Sequence, residues 1–277
     1  MQSTVHASKA LLQASHPLPA LAVTLVTAGL ALTAGRSAPG TFAIAAAVFC
    51  GQLSVGWLND LLDASRDAQA GRTDKPLAAG SLAPSAVRIA FWVSAIAAVL
   101  LTSLSGLAST AVHFVALLSA WAYNLRLKST VASVLPFALS FGLLPAIVSL
   151  GGDGPWPPWW LMAAAACLGS GAHFVNTLPD FADDAATGVR GLPHRLGPKA
   201  TPYAAAILVL AASVLLAFAP PGPAAALGLI AVPVAAAVLA AGLALGRRPR
   251  SRAAFRAVML VALVDVALLL HTGVAVG

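Results

Sequence analysis

Runs of about twenty apolar residues recur from one end of this chain to the other, and nothing else in the sequence constrains its fold so tightly. A helix rises 1.5 Å per residue, so each run matches the ~30 Å hydrocarbon core of a bilayer. Backbone groups in lipid must be bonded within the segment, which favours helices. Nine such stretches stand at roughly 18–35, 41–58, 84–105, 107–124, 131–150, 157–177, 203–219, 224–245 and 256–275. Clusters such as "DGPWPP" at 153–158 and "PPGP" at 220–223 punctuate them. Of the 277 residues, 9% are charged, against about 25% in a soluble domain. The chain is expected to be all-α: a polytopic membrane bundle of nine transmembrane helices forming one domain over 1–277.

The basic residues predict its orientation. With the N-terminus in the cytoplasm and nine crossings, 15 of the 16 Lys and Arg fall on the inner side and only Arg36 falls outside. That alternation follows the positive-inside rule. It places the N-terminus in the cytoplasm of a multi-pass plasma-membrane protein, with Trp156, Trp159 and Trp160 at the outer interface. The net charge of +7 therefore describes membrane orientation; dispersed over short loops, it makes a poor nucleic-acid footprint. The first 16 residues lack a basic segment followed by a short apolar run, so no cleavable signal is expected. Cys50 and Cys167 lie in apolar runs and read as small core residues.

The acidic residues point to chemistry. The chain has nine Asp and no Glu. Four lie at 60, 63, 67 and 74, and three at 180, 183 and 184; Asp153 is in an outer loop and Asp265 inside the ninth span. Offset by 117 residues, "NDLLDASRDAQAGRTDKPLAAG" (59–80) and "NTLPDFADDAATGVRGLPHRLG" (176–197) share eight of 22 positions. The matches pair Asn59 with Asn176, Asp63 with Asp180, Asp67 with Asp184, Gly71 with Gly188 and Gly80 with Gly197. This reads as a weak internal repeat.

If the helix continues through each motif, Asn59, Asp63 and Asp67 form one stripe ~12 Å long, and Asn176, Asp180 and Asp184 form another. Asp60 lies on the same broad face as the first stripe, and Asp183 makes the second more acidic. Like charges at such spacing repel unless cations sit between them. Carboxylates without Cys or His suit Mg²⁺, which binds one or two of them together with substrate phosphates. The predicted site is therefore a metal-bridged diphosphate. Arg72, Lys75, Arg126, Lys128, Arg190, Arg195 and Lys199 supply opposing charge nearby, with Lys75 and Lys128 the preferred contacts; each also serves as an orientation charge. Tyr123 and Asn124 are candidates for contact with diphosphate or acceptor, or for helix capping. His173, one turn before Asn176, reads either as a cavity residue that orients an acceptor or as a histidine bonded between helices. His113 and Asp265 carry similar alternatives.

The two motifs resemble those of the UbiA superfamily of intramembrane prenyltransferases. "NDLLDASRDAQAGRTDKPLAAG" looks like the family's NDxxDxxxD motif followed by a basic-Pro-Leu-x-x-Gly loop. "YNLRLK" (123–128) looks like its Tyr-rich segment ending in Lys. "NTLPDFADDAATGVRGLPHRLG" is similar to its DxxxD motif with a Leu-x-x-x-Leu-Gly ending. The resemblance implies nine helices around a central cavity open sideways to lipid. It implies Mg²⁺-dependent transfer of an isoprenyl group from a prenyl diphosphate to an unidentified, aromatic or lipophilic acceptor. Asn59, Asp63 and Asp67, supported by Asp60, would hold one metal; Asp180 and Asp184 would hold the other; Lys128 and Lys75 would bind diphosphate. Asp63, Asp67, Asp180, Asp184 and Lys128 are then the residues of the reaction, with Asn59, Arg72, Lys75, Asn176 and Tyr123 beside the diphosphate. The chain departs from the family at His16-Pro17, where Arg-Pro is common, and at Pro179, where a basic residue is.

A terpene cyclase on the same scaffold would keep both motifs. A CDP-alcohol phosphotransferase would need Gly after Asp63, where Ala64 stands. A phospholipid-type transporter suits a duplicated chain, but these motifs lie at helix ends rather than near the midplane.

Overall fold

A computed structural model describes residues 2–179, 181, 184, 187–220, 226–247 and 251–271. Among them are ten α-helices: α1 Gln2–Ala14, α2 Pro17–Thr33, α3 Ala38–Gln69, α4 Pro84–Ser103, α5 Leu107–Leu125, α6 Leu135–Ser149, α7 Trp159–Asn176, α8 Leu192–Phe218, α9 Ala226–Gly246 and α10 Ala253–His271. Two 3₁₀ turns, Leu127–Ser129 and Val131–Val134, join α5 to α6. No strand occurs among the described residues. Within the described residues, each of the nine apolar stretches overlaps one α-helix, α2 to α10. Among the described residues, five helical segments are long and apolar enough to cross a membrane, or six if the bent pair α1–α2 counts as one.

The helices pack chiefly against sequence neighbours, and α10 returns to touch α2 and α7, closing the bundle. One core cluster joins Leu30, Ile44, Val48, Leu144, Ile147 and Trp160. Another joins Phe174, Val175, Val209, Leu239 and Val258. Outward, Leu25, Phe42, Trp92, Ile96, Leu100, Ile207, Ile230 and Leu263 are all exposed. An apolar exterior of that extent is expected of a surface that meets lipid rather than water. Trp156 and Trp159 are exposed as an interface would have them, but Trp160 turns inward and is 4% exposed. Cys50 and Cys167 are free and half-buried.

Local chemistry sets the helix ends that matter for the site. Ser37 caps α3, its Oγ accepting from the Gly40 N–H at 3.3 Å. The helix then runs for 32 residues, ~48 Å at 1.5 Å per residue, which exceeds the bilayer core by several turns. Its last turns therefore carry Asn59, Asp63 and Asp67 on one continuous helix, as the spacing predicts. The second motif differs. Helix α7 stops at Asn176, and Leu178 N–H bonds to Val175 O at 3.2 Å in a tighter turn. Pro179 stands where the first motif has Leu62; proline disfavours a helical residue before it and lacks an N–H to donate. The expected unbroken stripe from Asn176 to Asp184 is thus interrupted. The seventh span also starts earlier than its apolar run, because α8 begins at Leu192 and kinks at Gly197 (φ 86°).

Candidate active site

A cavity of about 500 Å³ opens at the end of the bundle where α3 and α7 finish. Its wall includes Asn59, Asp63 and Asp67 from α3, Arg72 and Lys75 from the following loop, Tyr123 from α5, Lys128, Asn176 at the end of α7 and Asp184 beyond it. Residues more than a hundred positions apart thus face one space. Asp180 and Asp183, both expected at the metal, lie outside the described residues.

The two motifs close in the same way. Gly71 (φ 67°) and Gly188 (φ 84°) both take the left-handed conformation that ends a helix without a Cβ penalty. After each, the next N–H returns to the carbonyl of an aspartate: Arg72 to Asp67 at 2.9 Å and Val189 to Asp184 at 2.8 Å. Each turn fixes the backbone of the last aspartate of its motif at the cavity.

Polar side chains are held from behind. Asn59 Nδ2 donates to Asp63 Oδ2 at 3.1 Å and to Asn124 Oδ1 at 3.3 Å; Asn124 Nδ2 in turn donates to Val55 O at 2.9 Å. Arg66 and Lys128 both donate to Asp63 Oδ1. Lys128, between α5 and α6, is buried. Burial lowers its pKa from the usual lysine range, while Asp63 acts in the opposite sense. Lys75 Nζ donates to Asp60 Oδ1 at 2.7 Å and meets His16 Nε2 at 3.0 Å, and His16 Nε2 lies 2.9 Å from the same Asp60 oxygen. Asp60 is 2% exposed and does not line the cavity. Expected beside the metal, it is instead placed behind Lys75. Arg72 grips Asp74 with two bonds of 2.9 Å, and this pairing holds the Asp74 carboxyl at about 2.

The inner wall is aromatic. Tyr123 meets Phe137 edge-on at 5.0 Å and His173 at 5.6 Å, and Phe137 lies 4.7 Å from His173. His173 lines the cavity, and its Nε2 bonds to Ser133 Oγ at 3.0 Å. His113 is bonded to Thr102 at 2.6 Å, and Asp265 accepts from Ser213 Oγ at 2.8 Å, linking α10 to α8. Phe141, one turn along α6 from Phe137 and stacked on it at 6.3 Å, lines a second, apolar chamber of about 180 Å³. Val26, Leu161, Ala165, Val209 and Val258 complete much of that wall.

Sequence reading missed Gln13, Arg66, Phe137 and Thr187, all on the cavity wall. Arg66 had a signal: it stands three residues after Asp63, within reach on a helix. Gln13 had none, because a long-range fold brings its Nε2 to Asp74 O at 2.8 Å.

The donor set fits magnesium. Asn59, Asp63, Asp67 and Asp184 present only oxygen and amide groups to the cavity, the hard donors that ion takes. Among the described residues no three His, Cys, Asp or Glu side chains form a cage by themselves.

These features define a multi-pass helical membrane protein with a charged cavity at one end. Its sequence matches the model of the UbiA prenyltransferase family over residues 20–264, and the chain belongs to that family. The fold is similar to that of a UbiA homologue from Archaeoglobus fulgidus bound to GPP and Mg²⁺, at 16% identity over 96% of this chain and 100% of that one, with a TM-score of 0.73. A UbiA homologue from Aeropyrum pernix K1, solved in its apo form, is similar at 19% identity over 90% of this chain and 96% of that one, with a TM-score of 0.70. A structure concerned with digeranylgeranylglyceryl phosphate synthase in membranes matches at 17% identity over 100% of this chain and 99% of that one, also with a TM-score of 0.70. No curated protein matches the sequence at a significant level.

Proposed function

We propose that this protein transfers the isoprenyl group of a prenyl diphosphate to an aromatic or otherwise lipophilic acceptor within the plasma membrane, with Mg²⁺ as cofactor. The chain would cross the bilayer nine times as one domain, N-terminus and aspartate motifs in the cytoplasm. The observation that carries the reading is the cavity shared by Asn59, Asp63, Asp67, Lys128, Asn176 and Asp184. Family membership supports the reaction class. The A. fulgidus homologue, solved with GPP or with DMAPP together with Mg²⁺, supports the ligands.

Asn59, Asp63 and Asp67 would hold one ion, and Asp180 and Asp184, with Asp183 nearby, the other. When bound, the metal supplies countercharge to the diphosphate leaving group. Lys128, Lys75 and Arg72 bind diphosphate oxygens, and Asn176 and Tyr123 stand beside them. Asp60 acts through Lys75, which it holds at the wall. The C–O bond to the allylic carbon breaks, the electron pair leaves with diphosphate, and the acceptor bonds to that carbon as it gives up a proton. Tyr123, Phe137 and His173 keep water from the allylic group. The apolar chamber beside Phe141 takes the prenyl tail.

The test incubates purified protein with Mg²⁺, prenyl diphosphates of several lengths and candidate aromatic acceptors, then follows diphosphate release and prenylated product. Release only with acceptor supports transfer. Release with a cyclised product and no acceptor would make the protein a cyclase. Full transfer by Asp63→Ala would refute the metal assignment.

A further inference from the structure

Asp63 holds two cations. Arg66 Nη2 and Lys128 Nζ both donate to its Oδ1, while Asn59 occupies Oδ2 at 3.1 Å. The Asp63 side chain is 15% exposed, and all four residues line the cavity. A divalent cation that approaches Asp63 meets two positive charges already at the carboxylate, and like charges at contact distance repel strongly in a partly buried site. Occupation of Asp63 by metal therefore competes with both cations for the carboxylate, and a displaced buried cation needs a new anion. The diphosphate is the anion that arrives with the metal. Guanidinium matches phosphate oxygens through its planar fork, better than an ammonium does.

We propose that Arg66 is a diphosphate-binding residue and that Asp63 is its latch: binding of the metal–diphosphate pair moves Arg66 and Lys128 from the carboxylate to the phosphate oxygens. The inference rests on the prenyl-diphosphate reading and adds to it a ligand outside the fixed Asn and Asp positions of either motif. Arg66 occupies a variable position of the first motif, between Asp63 and Asp67, at the last turn of α3. As a mere orientation charge it would have no part in diphosphate binding.

The test titrates inorganic pyrophosphate into the full-length protein in detergent by calorimetry, with and without Mg²⁺. It compares the unmodified chain, Asp63→Asn, Arg66→Gln, Arg66→Lys and the double variant Asp63→Asn/Arg66→Gln. With Mg²⁺, Arg66→Gln is expected to weaken binding about tenfold, and Arg66→Lys less, because a charged hydrogen bond is lost. Without Mg²⁺, Asp63→Asn is expected to tighten binding about tenfold, because an amide no longer neutralises Arg66 and Lys128. The double variant should lose most of that gain. The opposite signs of the two single variants separate a latch from a folding defect, which would weaken both. Unchanged binding in Arg66→Gln, or no tightening in Asp63→Asn, overturns the inference while the unmodified chain still binds. Absence of any Mg²⁺-dependent binding by the unmodified chain overturns it together with the prenyl-diphosphate reading.

Discussion

Lys128 and Asp74 illustrate how differently two charged residues serve one cavity. Lys128 is largely buried and paired with Asp63, so once it leaves that carboxylate its charge is less screened than a surface lysine's toward a phosphate that enters. Lys128→Ala is expected to slow diphosphate release by roughly 10² to 10³-fold, the usual cost of removing one preorganised countercharge; steady-state rates at saturating Mg²⁺ check it. Asp74 is largely exposed and forked by Arg72, which depresses its carboxyl to about 2. The depressed value fixes the sign: the pairing stabilises the loop above the ordinary aspartate range of about 4 and is lost as pH falls from there through about 2. Carboxyl NMR should show Asp74 titrating near that low value, and Arg72→Gln should return it toward the ordinary range.

At the scale of elements, the corner between α1 and α2 decides how Lys75 is presented. His16 adopts left-handed backbone before Pro17 (φ 54°), and the chain bends by 67°. The corner lies so close to α3 that a Cβ on Gly56 would stand 2.2 Å from Ser15 O. Trp57 Nε1 donates to Leu11 O at 2.9 Å beside it. Gly56→Ala must push this corner outward, which disturbs the His16–Asp60–Lys75 cluster. Such overpacking typically costs ~1–3 kcal/mol; thermal unfolding in detergent should show the loss, with weaker pyrophosphate binding. Much at this scale was legible in advance, because a bilayer turns each apolar run into a helix. The break after Asn176 was not, since the repeat suggested that both motifs continue alike while Pro179 in one of them removes a donor. The inward turn of Trp160 was equally hidden, because three tryptophans in five residues share one composition but different helix faces.

Over the whole molecule, the sequence announced the acidic site through two aspartate motifs of like spacing, and the fold supplied their meeting. What the sequence left unread was contact made through folding alone: Gln13 at the cavity and Asp60 behind Lys75. The apolar chamber belongs to this scale too, since α2, α6, α7, α8 and α10 build it together. Filling it with Ala165→Phe is expected to shorten the longest prenyl diphosphate accepted, with little effect on the shortest; a series of chain lengths read by kcat/KM would check this.

The central claim is that the two motifs grip one metal–diphosphate unit, and a double-mutant cycle tests it most directly. Mg²⁺-dependent diphosphate release would be measured for Asp67→Asn, Asp184→Asn and both together. If the motifs act as one unit, the double variant should be about as slow as the slower single variant, since residues that work together lose activity non-additively. Losses that simply multiply would contradict the account, showing that the two halves of the chain act on the substrate independently.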